Sequence, residues 1–147
     1  MLCATPSNAA ADLLVERLGA VGLNVVRIGH PMRVDPAVVD RALDRLVAAD
    51  PDHKQVKAFR KQAEEAAREA EKQFRTFGVD QRAARREAFA EARELRKEAD
   101  RLEGFLAERA LETAEVVCCT LVGAADRMLT GRRFGTAILD EAGQALE

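Results

Sequence analysis

Read from the N-terminus, the alternation of apolar and polar positions changes character twice along the chain. Leu2-Cys3-Ala4-Thr5 is a short apolar run that stops at Pro6-Ser7-Asn8. Ser7 or Asn8 can cap a helix there, and Leu14, Val15 and Leu18 give that helix one apolar side. The pattern therefore predicts a strand, then a helix over about 8–18 that ends at Gly19 or Gly22. Asn24-Val25-Val26-Arg27-Ile28 is rich in β-branched residues and closed by Gly29-His30-Pro31, so it reads as a second strand. Strand, helix and strand in this order imply a right-handed parallel crossover. A further helix is expected from about Val34 to Ala49.

From Lys54 the period becomes helical. Val56, Phe59, Ala63, Ala66, Ala70, Phe74 and Phe77 recur at steps of three and four, the stripe of an amphipathic or coiled-coil helix. After Gly78-Val79-Asp80 a second stripe follows: Ala88, Ala92, Leu95, Ala99, Leu102 and Leu106. Two such helices joined by a short glycine-containing turn pack antiparallel, which predicts a hairpin over about 54–112, roughly 35–45 Å long.

The last third returns to strand chemistry. Val116-Val117-Cys118-Cys119-Thr120 and Thr136-Ala137-Ile138-Leu139 are uniformly apolar runs, separated by a turn or short helix through Gly123 to Leu129. Such runs suit buried strands of a parallel sheet covered on both faces. The expected fold class is α/β: a parallel sheet built from residues 1–33 and 113–147, with 34–112 as a helical insertion carrying the antiparallel hairpin.

Composition narrows the chemistry. The chain has 147 residues, about one domain, and 23 basic against 25 acidic side chains leave a net charge of −2, so no global field draws it to a polyanion. No apolar run is long enough to cross a bilayer and no signal-peptide pattern opens the chain, so a soluble, intracellular, cytoplasmic protein is expected, without a membrane partner. Cys3, Cys118 and Cys119 lack C-x-x-C spacing and are expected to be reduced core thiols. His30 and His53 lack metal-type spacing to each other or to a cysteine.

The most specific feature is the apolar strand that delivers Asp140 and Glu141 at its carboxyl end, followed by Ala142-Gly143-Gln144. Ligands of parallel α/β sheets bind outside those ends, so the two carboxylates are placed for a nucleotide's metal and phosphates, as in a Walker B site. Asp140 would hold Mg²⁺, and Glu141 would orient or deprotonate the water attacking the γ-phosphate. The bland alternative is an exposed acidic pair at a strand end.

D-E-A-G-Q resembles motif II of the superfamily 1 helicases, D-E-x-x-Q. Cys3 to Asp12 resembles motif Ia, Val117 to Ala124 resembles the strand and loop between Ia and II, and L-N-V-V-R-I-G-H at 23–30 resembles helicases of the nonsense-transcript-regulator and immunoglobulin-mu-binding type. The likeness covers residues 1–30 and about 113–147. It implies part of the first RecA-like domain of an ATP-dependent helicase that moves along single-stranded DNA or RNA. It implies that Pro6, Ser7, Asn8, Thr120 and Gly123 hold strand phosphates, that Gln144 contacts the γ-phosphate region with Asp140 and Glu141, and that ATP and Mg²⁺ are the cofactors. On the residues alone, Ser7 is an ordinary helix cap whose free N–H groups also suit a phosphate.

One departure bears on activity. The family's phosphate cradle is G-x-x-x-x-G-K-[ST], and here no glycine precedes a lysine; all five lysines lie between Lys54 and Lys97. A fragment that depends on the remaining helicase domains is the expectation, with no ATPase of its own. A strand absent beside the one ending at Asp140 would leave an unpaired apolar edge, so self-association is also expected. Between Lys54 and Glu112 fifteen basic and thirteen acidic residues nearly cancel, favouring a solvated helical surface; Arg82, Arg85, Arg86 and Arg93 are the one local basic group near the hairpin tip. The rival reading is a non-enzymatic module whose exposed antiparallel coil docks a partner.

Overall fold

The computed structural model describes residues 1–72 and 79–144. Strands β1 (Leu2–Thr5), β2 (Val25–Arg27), β3 (Val116–Thr120) and β4 (Ala137–Leu139) form one sheet in the order β2-β3-β1-β4, every neighbouring pair parallel. The helices are α1 (Asn8–Ala20), α2 (Leu43–Ala49), α3 (His53–Lys72) and α4 (Val79–Thr113). The mixed α/β class with a parallel sheet is the one that the sequence pattern predicts. The chain divides into two compact units, Met1–Ala49 with Ala107–Glu147, and Asp50–Leu106.

In the sheet unit, local chemistry sets the boundaries of α1. Ser7 is extended, and its Oγ accepts a hydrogen bond from the Ala10 N–H at 3.2 Å, which caps the first turn. At the far end the Val21 N–H donates to the Arg17 carbonyl, and Gly22 adopts φ 91°, a left-handed conformation that glycine enters without a Cβ clash. The helix thus runs through Gly19 and stops before Gly22.

Register carries the core. Cys3 pairs with Cys118 and Val25 with Val116, and these four pack against Val15 of α1 together with Val34, Val38 and Ala42. Ala4, Val26, Val117 and Cys119, the alternate positions of the same strands, are also buried. Strands β1, β2 and β3 are therefore covered on both faces, as their unbroken apolar runs require.

Two expectations need correction. Residues 34–49 are not one helix: 3₁₀ turns at Pro31–Arg33 and Val39–Arg41 alternate with extended backbone at Val34 and Ala42, and α2 starts only at Leu43. Pro36 has no N–H to donate and disfavours helical geometry at Asp35, while the sheet core takes up Val34, Val38 and Ala42. This segment packs within the sheet unit. The last strand is extended as expected but is not buried: Ile138 and Leu139 are 50% and 52% exposed. It pairs with β1 alone and forms a rim of the sheet among the described residues, a position that composition does not encode.

In the helical unit the apolar stripes behave as read. Val56, Ala63 and Ala70 of α3, and Ala92, Ala99 and Leu106 of α4, are buried at intervals of seven residues. Alanines at these positions let two helices approach closely. Arg60 pairs with Glu103 at 2.5 Å and with Asp100 at 3.8 Å, and His53 lies 3.8 Å from Glu103, so the start of α3 lies beside the far part of α4 and the two run antiparallel. At 1.5 Å per residue α4 is about 52 Å long, beyond the expected hairpin length, because it continues unbroken to Thr113. Phe74, Phe77 and the glycine of the expected turn lie outside the described residues. Phe89 and Phe105, which lie outside the stripe positions of α4, are exposed. Among the described residues no helix is long and apolar enough to cross a membrane.

All three cysteines are free and buried. Burial pushes the thiol of Cys118 up to about 12 and that of Cys119 to about 11, and raises that of Cys3. Because the folded values lie above the unfolded one, the stability these thiols confer is intact below about pH 9 and is lost progressively as pH rises towards the folded values of Cys119 and Cys118. Denaturant titrations at stepped pH should show that loss, and iodoacetamide at pH 8 should label the thiols only after unfolding. Equal labelling of folded and unfolded protein would contradict the burial.

Candidate functional site

The carboxyl ends of the strands bring the candidate residues to one edge of the sheet. Thr5 pairs with Thr120, and Ala4 pairs with Leu139, so the loops that follow β3, β1 and β4 leave the sheet side by side, about 5 Å apart. The ladders continue past the strands themselves: the Leu121 N–H donates to the Thr5 carbonyl at 2.7 Å and the Asp140 N–H to the Ala4 carbonyl at 2.9 Å. The loop of Pro6, Ser7 and Asn8 thus lies between that of Thr120 and Gly123 on one side and Asp140 and Glu141 on the other.

Each loop is shaped by its own side chains. In the first, the buried Thr5 Oγ1 donates to the Ser7 carbonyl at 2.9 Å, turning the chain from β1 into α1 and leaving Pro6 and Ser7 exposed. In the second, the Gly123 N–H donates to Thr120 Oγ1 at 3.0 Å, and a Cβ on Gly123 would come within 3.0 Å of that oxygen, so a larger residue would force the loop apart. In the third, Asp140 and Glu141 are exposed, and Glu141 has φ 49°, a left-handed backbone seldom adopted outside glycine. Such a conformation stores about 1–2 kcal/mol and clusters at functional sites. Ala142–Gln144 forms one 3₁₀ turn directly after it.

Two adjacent exposed carboxylates suit Mg²⁺, which binds through one or two protein carboxylates and completes its shell with water and substrate phosphates. Among the described residues no group of three or more His, Cys, Asp or Glu is assembled to hold a metal, so any ion here would need those outside ligands.

Below this edge lies a network that the sequence pattern does not announce. Arg27 of β2 is 0% exposed. Its Nε donates to Asp12 Oδ1 at 2.7 Å, its Nη2 to Asn8 Oδ1 at 2.9 Å, and its Nη1 to the Ile28 carbonyl. Asp12 Oδ2 in turn accepts from the Asp35 N–H at 3.0 Å. The available signals were an arginine inside a β-branched run, and Asn8 and Asp12 one helical turn apart, with Asp12 three positions before the core residue Val15.

At the described end of the hairpin, Arg82, Arg85 and Arg86 line with Phe89 an open concavity of about 490 Å³, and the Arg85 guanidinium stands 5.3 Å from the Phe89 ring centroid, a cation–π contact. Arg93 is exposed and does not line it.

Comparison with known proteins follows the same lines. The AAA domain family matches residues 1–147, and the chain belongs to that family. Over 141 residues it is 35% identical to the DNA polymerase alpha-associated DNA helicase A of Schizosaccharomyces pombe, covering 96% of this chain and 20% of that protein. It is 32% identical over 152 residues to the DNA-binding protein SMUBP-2 of Rattus norvegicus (100% of this chain, 15% of that protein). It is 30% identical over 152 residues to the ATP-dependent helicase upf1 of S. pombe (100% and 14%). These relatives place the chain among the superfamily 1 helicases, and it spans a fifth or less of their length.

The buried ion pair makes a stability prediction. Arg27→Met would leave the Asp12 carboxylate buried without its cation and should cost about 3–5 kcal/mol. Adding Asp12→Leu should recover part of that loss, since a buried pair replaced whole costs less than a pair broken. Urea unfolding of both variants measures it, and a cost below about 1 kcal/mol for Arg27→Met would show that the pair is not structurally important.

Proposed function

We propose that this chain is the part of an ATP-dependent nucleic-acid helicase that holds the acidic end of the nucleotide site and one side of the single-strand track. The observation that carries this reading is the adjacency of three loops at one sheet edge, with the strained Glu141 at the end of β4. In this reading Pro6, Ser7 and Asn8, with Thr120 and Gly123, contact the phosphates of single-stranded DNA or RNA. Ser7 and Asn8 offer side-chain donors at the start of α1, whose free N–H groups and positive dipole end favour an anion. Asp140 holds Mg²⁺, Glu141 orients the attacking water and accepts its proton, and Gln144 senses the γ-phosphate region. ATP bound with Mg²⁺ supplies the phosphoanhydride to be cleaved. The relatives' names, which specify an ATP-dependent helicase, a DNA helicase and a DNA-binding protein, support the class of reaction and ligand.

The chain has no G-x-x-x-x-G-K-[ST] cradle, so alone it is expected to release no phosphate from ATP above background. Joined to helicase segments that supply the cradle and a second motor domain, it should support turnover stimulated by single strands. Glu141→Gln should then lower kcat by about 10²–10⁴-fold while strand binding persists. Phosphate-release assays decide this: unchanged turnover in Glu141→Gln removes the proposed role. The three buried thiols suit a reducing intracellular compartment, which we propose as its setting.

We further propose that the exposed β4 edge lets the chain associate with itself. Sedimentation velocity should show mass rising with concentration, and Ile138→Lys should suppress it. A monodisperse monomer at high concentration would rule the edge contact out.

A further inference from the structure

Arg27 lies behind the strand-binding loop and can touch no ligand itself, yet its chemistry dictates how Asn8 presents its side chain. We infer that Arg27 is a positioning residue: by occupying the oxygen of the Asn8 carboxamide it turns the amide N–H donors outward, towards a nucleic-acid phosphate. This rests on the reading of Pro6-Ser7-Asn8 as a strand-binding loop and adds to it the residue that sets the loop's polarity.

An arginine side chain is always protonated and can only donate. The Asn8 atom 2.9 Å from Arg27 Nη2 must therefore be the acceptor oxygen, Oδ1, and this assignment follows from chemistry even though amide oxygen and nitrogen are nearly isosteric. With the oxygen held inward, Nδ2 faces away from the buried guanidinium. In the opposite orientation two donors would confront each other inside the fold.

The guanidinium has no freedom to release Asn8. Nε is held by Asp12 Oδ1 at 2.7 Å and Nη1 by the Ile28 carbonyl, while Asp12 is itself fixed through Oδ2 by the Asp35 N–H at 3.0 Å. Gly29 provides the necessary room, since a Cβ there would come within 2.8 Å of Nη1. The bracket thus spans the first turn of α1, the end of β2 and the loop at Asp35, and it exists before any strand binds. Binding need not order the Asn8 side chain, an advantage of about 3- to 10-fold in affinity. Lysine cannot substitute, because a compact ammonium cannot reach Asp12, Ile28 and Asn8 together in the fork geometry of arginine.

The test is a double-mutant cycle on the full chain, with fluorescence anisotropy of labelled oligo-dT and oligo-U at low salt and well below the melting temperature of every variant. Arg27→Lys and Asn8→Ala should each weaken binding about 3- to 10-fold, and the double variant should bind no more weakly than Asn8→Ala alone. A merely structural arginine would lower the melting temperature without this coupling. The inference is overturned if Arg27→Lys costs as much in the Asn8→Ala background as in the wild type, or if it leaves affinity unchanged. Wild-type protein that binds neither oligonucleotide would refute the loop reading and the inference with it; wild-type binding that Asn8→Ala leaves intact would refute the inference and the contact assigned to Asn8, while the rest of the loop reading stands. Should Arg27→Lys fail to fold by circular dichroism, the Asn8 side-chain NH₂ signals of the wild type serve instead: they should shift when oligonucleotide is added, and stationary signals overturn the inference.

Discussion

Pairing of β1 along both of its edges is the constraint from which the rest of the edge follows. A parallel ladder fixes register residue by residue, so once Cys3 faces Cys118 and Ala4 faces Leu139, the residues after Thr5, Thr120 and Leu139 have no choice of neighbour. Three loops far apart in the chain emerge together because the backbone hydrogen bonds continue to Leu121 and Asp140. A slip of one residue would turn Cys3 and Cys118 out of the core that Val15 and Val25 complete. Burial of the sheet's faces and the composition of its edge are therefore the same requirement, expressed once in side chains and once in backbone.

Against that apolar background the Arg27 cation is the exception that organises its surroundings. A charge so deeply buried is tolerated only when its donors are met, and here they are met by a helix side chain, a second helix side chain and a backbone carbonyl. Satisfying the charge ties β2 to the start of α1. The structural need and the orientation of Asn8 are consequently inseparable, which is why one polar network can both hold the crossover together and set the direction of donors at its exposed end.

The helical unit obeys a different logic. Its buried positions are mostly small and recur every seven residues, and its charges are paired at the surface, as with Arg60 and Glu103. Exposed pairs of this kind contribute about 0–1 kcal/mol each, so close alanine packing and helix length carry the stability of this unit. Nothing in that arrangement requires a ligand. The basic concavity at Arg82, Arg85 and Arg86 is built on the same helix surface, with one of its cations stacked on Phe89.

What the amino-acid sequence determined by itself was everything governed by local period and local chemistry. It placed the four strands, the Ser7 cap, the two long helical stripes and the likeness of Pro6-Ser7-Asn8, Thr120 to Gly123 and Asp140-Glu141 to helicase motifs. These signals are legible because a strand repeats every two residues, a helix every 3.6, and a cap or an acidic doublet needs only its immediate neighbours. Tertiary structure alone decided the rest. Whether Ile138 and Leu139 are buried depends on which strand stands beside them, and the path of residues 34–42 depends on the sheet core that claims Val34, Val38 and Ala42, in the same direction as the local bias of Pro36 against helix. The ion pair of Arg27 with Asp12 joins residues that share no local pattern; it could appear only once the parallel crossover had folded one strand against the helix preceding it, because the free energy of a buried charge is set by the groups that surround it in space.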